Sequence, residues 1–226
     1  MEEGIHLENM DSKMLYSHLL SRGVLQQKIV QLDGSEIWEN KRCKVELERP
    51  DLIWDVIWHR ARMPGLSNDA RTFLFKFLHN ILPSQERLVK VTRSTVSPVC
   101  ICCDSGEADN IRTHTFTDCS HSIQAMHWLK DLLTHLDPLV TLKSIIWLQV
   151  ETENETNELC AVWLIAETMA FIWARRRHKE AIVVSSLSAE LQDKASTLVL
   201  TQHHYNAGVL LTELLTPLPP PPQQPP

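Results

Sequence analysis

Residues 100–119 read CICCDSGEADNIRTHTFTDC, a stretch with neither helical nor strand periodicity that holds four of the chain's six cysteines. Its apolar content is too low to offset the entropy of ordering it, so another force must hold it. Cys100 and Cys103 form a C-x-x-C turn that presents two sulfurs to one ion. After ten intervening residues, His114 and Cys119 offer a second pair spaced H-x-x-x-x-C. Three thiolates and one imidazole make the full tetrahedral set of a structural Zn2+ site. With all four positions supplied by protein, no vacancy remains for an activated water. Cys102 and His121 are neighbours able to replace Cys103 or Cys119 with poorer geometry. Two alternatives stand beside the metal: reduced cysteines clustered by chance, and a thioredoxin-like redox pair. The second lacks the strand before and the helix after that its chemistry needs.

Outward from this stretch, apolar residues recur at helical spacing almost everywhere. Upstream, Asp11–Arg22 reads as a short amphipathic helix, and Asp51–Ala61 pairs Ile53 with Ile57 and Trp54 with Trp58 four residues apart. Ser67-Asn68-Asp69 can cap a helix reaching about Asn80, whose Phe73, Leu74, Phe77, Leu78 and Ile81 form one stripe; Ser84–Val91 restarts a short helix after Pro83. Downstream, Ile123–Leu136 and Leu139–Trp147 are amphipathic. An acidic connection, Glu151–Glu158, leads to a long apolar helix from about Leu159 to Arg177, and a helix at Ser188–Thr201 closes the ordered part. The expected fold is mainly α, a helical domain with an irregular zinc knuckle and room for short strands at Cys43–Glu48 and Ala181–Ser185. Four regions follow: an N-terminal helical extension (1–49), a zinc-binding domain (50–136), a C-terminal helical region (137–215) and a disordered proline-rich tail (216–226). The tail, PLPPPPQQPP from Pro217, favours polyproline II and has the composition of a docking site for a proline-binding module.

Composition limits the function. The 226 residues are 43% hydrophobic and 22% charged with a formal charge of −6, so a nucleic-acid surface must be a local patch. The six glycines show no G-x-G and no phosphate loop, and there is no G-x-S-x-G, H-E-x-x-H or adjacent pair of aspartates, so no enzyme is expected. An acidic start, Met1-Glu2-Glu3, is unlike a secretory signal. Clustered cysteines suit a reducing intracellular compartment, nucleus or cytoplasm. Leu159–Trp173 is interrupted by Glu167 and is about 15 residues long, short of the roughly 20 a bilayer crossing needs, so it is expected to be a buried core helix without a membrane partner.

The order of motifs resembles the reverse-transcriptase zinc-binding domain found after the polymerase in non-LTR retrotransposons. The resemblance spans roughly residues 50–130. It runs from Trp54–Trp58 through His79-Asn80-Ile81-Leu82-Pro83-Ser84-Gln85-Glu86-Arg87-Leu88 to Cys100-x-x-Cys103, Gly106-Glu107-Ala108-Asp109, His114-Thr115-Phe116-Thr117-Asp118-Cys119 and Trp128. It implies a zinc-stabilised accessory module that contacts RNA or DNA, with Cys100, Cys103, His114 and Cys119 as ligands. Any polymerase would be supplied by a separate reverse transcriptase. Local charge agrees with such a role: Arg60, Arg62, Arg71, Lys76, Arg87, Lys90 and Arg93 face only Asp69 and Glu86 within residues 60–93. Of these, Arg71, Lys76, Arg87, Lys90 and Arg93 are the candidate phosphate contacts, with Arg175–Lys179 a second cationic cluster that a helix terminus also explains. The competing reading is a protein-interaction scaffold in which the zinc is purely structural.

Overall fold

The computed structural model describes residues 49, 51–85, 97–103, 110–111, 114–199 and 205–216, and the backbone alone at 26–30, 36–40 and 112–113. The helix expected at Asp11–Arg22, the strand at Cys43–Glu48, the part of Ser84–Val91 beyond Gln85 and the proline-rich tail lie outside the described residues. The fold is mostly helical. Strands β1 (Gln26–Val30) and β2 (Glu36–Asn40) pair antiparallel, with Ile29 opposite Ile37. The helices are α1 (Trp54–Arg60), α2 (Asn68–Leu78), a π-helix (Ile111–Asp118), α3 (Ile123–Leu133), α4 (Leu142–Ile146), α5 (Glu155–Arg177), α6 (Val184–Val199) and α7 (Tyr205–Leu215).

Local chemistry sets the helix starts. Ser67 Oγ accepts the N–H of Ala70 at 3.1 Å and caps α2. Thr141 and Ser144 exchange side-chain and backbone bonds in a capping box at α4. Asn154 accepts from the Asn157 N–H at 2.9 Å and starts α5 inside the acidic stretch, four residues before the apolar run begins. Glu155 and Glu158 in the first turn of α5, and Arg175, Arg176 and Arg177 in its last, complement the helix dipole at both ends.

Helix α5 is the axis of the molecule. Every residue from Cys160 to Trp173 is buried, so its hydrophobicity has no single face. Among the described residues it is the one helix long and apolar enough to cross a membrane, and α2, α3, α6 and α7 cover it. Contacts of Ser67 with Glu167 and of Phe73 with Trp173 show α2 and α5 running in the same direction. Lys194 meets Glu167 as α6 returns antiparallel to α5. Then α7 folds back on α6, where Gln192 donates to the Leu215 carbonyl at 2.6 Å. At Gly208 the approach is so close that an added Cβ would lie 2.7 Å from the Val199 nitrogen, so glycine is needed for packing there.

Two expectations need correction. The ordered chain does not close near Thr201: α7 follows and buries Ala207, Leu211 and Leu215. No strand forms at Ala181–Ser185; residues 181–183 are irregular and Val184 opens α6, because Leu187 and Leu191 gain more by packing on the core at helical spacing. Most buried apolar residues between Leu52 and Leu215 belong to one cluster, and Cys100, Cys103 and Cys119 form another.

Candidate metal centre

The backbone at Ile111–Asp118 is wound so that Thr115 N–H reaches the Asn110 carbonyl at 3.0 Å and Cys119 N–H reaches that of His114 at 2.8 Å, each five residues back. In an α-helix, residues five apart diverge by about 140° around the axis. The wider turn brings His114 and Cys119 nearly into line, and such turns recur at functional sites. The segment is anchored from the other side by Phe116. That ring is fully buried and packs edge-on against Phe73 and Phe77 of α2, at 5.9 and 6.0 Å between centroids. Ser122 Oγ donates to the Thr115 carbonyl and holds the exit into α3.

Opposite lies the C-x-x-C turn, with Cys102 N–H directed at Cys100 Sγ at 3.5 Å. The structure brings together the expected set of Cys100, Cys103, His114 and Cys119: all four are buried, and their ligand atoms lie within 4.8 Å of one another. Cys100 Sγ is 3.9 Å from Cys119 Sγ, and Cys103 Sγ is 3.2 Å from His114 Nε2. Disulfide sulfurs sit about 2.05 Å apart. Metal bonds of about 2.3 Å to sulfur and 2.0–2.1 Å to nitrogen place tetrahedral neighbours roughly 3.5–3.8 Å apart. The two observed separations are far from the first geometry and within a few tenths of an ångström of the second. The group can therefore hold a metal ion with four protein donors.

Electrostatics point the same way. Without a cation, burial first, and then the neighbouring Cys100 and Cys103, push the Cys119 thiol up to about 12, against a smaller opposing pull from the His121 N–H. The Cys119 thiol, crowded away from water, resists ionising unless a positive ion shares the space. Neither possible substitute joins the group. Cys102 Sγ turns outward to the Arg176 carbonyl at 3.6 Å, which ties the knuckle to the end of α5, and His121 keeps its ring outside, with Nε2 buried and lacking a hydrogen-bond partner.

The basic strip is only partly assembled. Arg60 is internal: it pairs with Glu158 at 2.6 Å and donates to the Leu148 and Val150 carbonyls at 2.6 and 2.9 Å, bracing α1 against the start of α5. Arg71 is exposed, Lys76 is half-buried on the same helix, and Arg87, Lys90 and Arg93 lie outside the described residues. Sequence reasoning missed Glu167 as a structural centre. This fully buried carboxylate accepts from the Ser67 N–H at 2.8 Å, the Ser67 hydroxyl at 3.0 Å and Lys194 Nζ at 3.1 Å, joining α2, α5 and α6. The signal was present: a lone carboxylate inside an apolar run must find partners.

No protein-family model, no curated protein and no solved structure matches this chain.

Proposed function

We propose that Cys100, Cys103, His114 and Cys119 hold one zinc ion, and that the chain is a non-catalytic, intracellular accessory module of the reverse-transcriptase zinc-binding kind that contacts RNA or DNA. The observation that carries the metal is the buried convergence of four donors. Three sulfurs with one imidazole in tetrahedral reach favour zinc among the common divalent ions, and a complete protein donor set favours a structural ion over a catalytic one. The ion would close a knuckle that Phe116 and Cys102 fasten to α2 and α5. Polymerisation, where needed, would come from a separate reverse transcriptase.

The metal is tested by elemental analysis of the purified chain beside Cys100→Ser and His114→Ala. One zinc per chain, lost in both variants, is expected; equal metal content in all three would overturn the site. Nucleic-acid contact is tested by fluorescence anisotropy with labelled RNA and DNA oligonucleotides across a salt series, where affinity should fall steeply as salt rises. A second reading, a protein-interaction scaffold, draws on Leu139 and Ile53, which are 83% and 65% exposed. Salt-independent absence of binding together with a concentration-dependent mass in sedimentation would favour it.

A further inference from the structure

A cleft of about 470 Å³ lies where α2, the C-terminal half of α5 and α6 meet. Its volume falls in the range of roughly 300–1,000 Å³ typical of sites for small organic groups. Its charges are sorted along its length. On α2, Asp69 and Lys76 both line it, seven residues and so about 10 Å apart. Because α2 and α5 run in the same direction, Lys76 shares its end of the cleft with Arg177 and His178, while Asp69 lies at the end where Glu167 meets Ser67 and Lys194. Two other lining cations are already engaged: Arg175 pairs with Glu180, and Lys194 pairs with Glu190 at 2.9 Å as well as with Glu167. Lys76 and Arg177 have no carboxylate partner among the described residues. Between the two ends the wall is apolar, from Phe73, Leu82 and Trp173.

We infer that this cleft receives one unstacked nucleotide of a single-stranded nucleic acid, its phosphate at Lys76 and Arg177 and its base along the apolar wall toward Asp69. The inference rests on the nucleic-acid reading above and names where that contact is made. A duplex is read by elements that protrude into its grooves, whereas a recessed cleft suits a base splayed out of a strand. Aromatic and apolar walls take the face of any base, and a carboxylate accepts from base amino groups. The cleft adjoins the candidate metal centre through Arg176, whose carbonyl meets Cys102 and whose guanidinium lies 5.3 Å over the Trp173 ring. A bound metal would therefore steady one wall.

The test uses the full chain and a fluorescein-labelled twelve-nucleotide oligo(U) (a length on the order of one binding site). Lys76→Gln and Arg177→Gln should each weaken binding by roughly three- to tenfold and lower the salt slope by about one, with Lys143→Gln, at an exposed position of α4, unchanged. Ala174→Trp should block the cleft; circular dichroism of each variant checks folding, and the two glutamine variants decide if the tryptophan variant unfolds. Uridine monophosphate should displace the oligonucleotide at lower concentration than inorganic phosphate. If wild type binds and neither glutamine variant is weaker, the cleft is overturned while the nucleic-acid reading stands. Equal competition by phosphate would overturn the nucleotide assignment, leaving an anion contact only. Absence of any binding by wild type would overturn both.

Discussion

The stretch Cys100–Cys119 and helix α5 are of similar length, but they have almost opposite compositions. In α5, burial of Cys160–Trp173 on all sides supplies the driving force, and its one carboxylate is satisfied by Ser67 and Lys194. In the knuckle, four polar or ionisable donors converge, and among its described residues only Ile111 and Phe116 belong to the main apolar cluster. Two kinds of cohesion thus coexist: one spread over many weak contacts, the other concentrated at a single point. The first degrades gradually under mutation, the second all at once.

The largest effect should come from taking the proposed metal away. Structural zinc contributes about 10–16 kcal/mol of apparent binding energy in small zinc domains. A strong chelator should therefore raise hydrogen exchange across residues 97–122 while α5 amides stay protected. Simultaneous loss of protection in both would show that the regions are one cooperative unit. Next in size, Phe116→Ala should cost about 3–5 kcal/mol in denaturant unfolding and also lower metal affinity, whereas Leu164→Ala, fully buried in α5, should cost about 2–5 kcal/mol with metal affinity unchanged. Equal metal affinity in the two variants would remove Phe116 as the link between the regions.

Glu167→Gln probes the polar point inside the apolar region. It keeps the shape but turns one acceptor oxygen into an NH2 that faces the donors of Ser67 or Lys194, loses the charge facing Lys194, and should cost about 1–3 kcal/mol by urea denaturation. A stability gain would mean the carboxylate serves specificity alone.

The smallest effect concerns pH. Burial, with Arg62 adding to it, holds His79 below its ordinary 6.5, and its ring packs on Phe75 and Trp58 at 4.3 and 5.1 Å. The unfolded chain then binds a proton more readily than the folded one. Stability should fall as pH drops below 6.5 and stop falling once the folded ring is also protonated. His79→Phe should flatten this dependence, read as the change in urea midpoint between pH 7.5 and 5.5 relative to wild type. An identical dependence in both would assign the acid sensitivity elsewhere.

Much of this was legible in advance for local reasons. The cap at Ser67, the stripe through Phe73 and Phe77, and the paired spacings of Cys100 with Cys103 and His114 with Cys119 are short-range signals. Other features were misread because their meaning is long-range. Tyr205–Leu215 follows a helix already expected to end the fold, and only its packing on α5 and α6 gives it a purpose. Arg60 looked like part of a phosphate-facing strip until Glu158 and two carbonyls nearly a hundred residues away claimed it. Asp33-Gly34, a dipeptide that favours hairpin turns, lies between the residues that form β1 and β2.

Spacing and residue type, acting over a few bonds, determined the helical class, the four donors and the apolar character of the long helix. Tertiary structure decided that the donors converge, through a five-residue turn the periodicity does not announce, and that α5 is covered on all sides by protein. It also decided which cations remain at a cleft and which are spent inside. The reason is physical: backbone propensity is settled by neighbours in the chain, whereas burial and charge pairing depend on partners that only folding brings within reach.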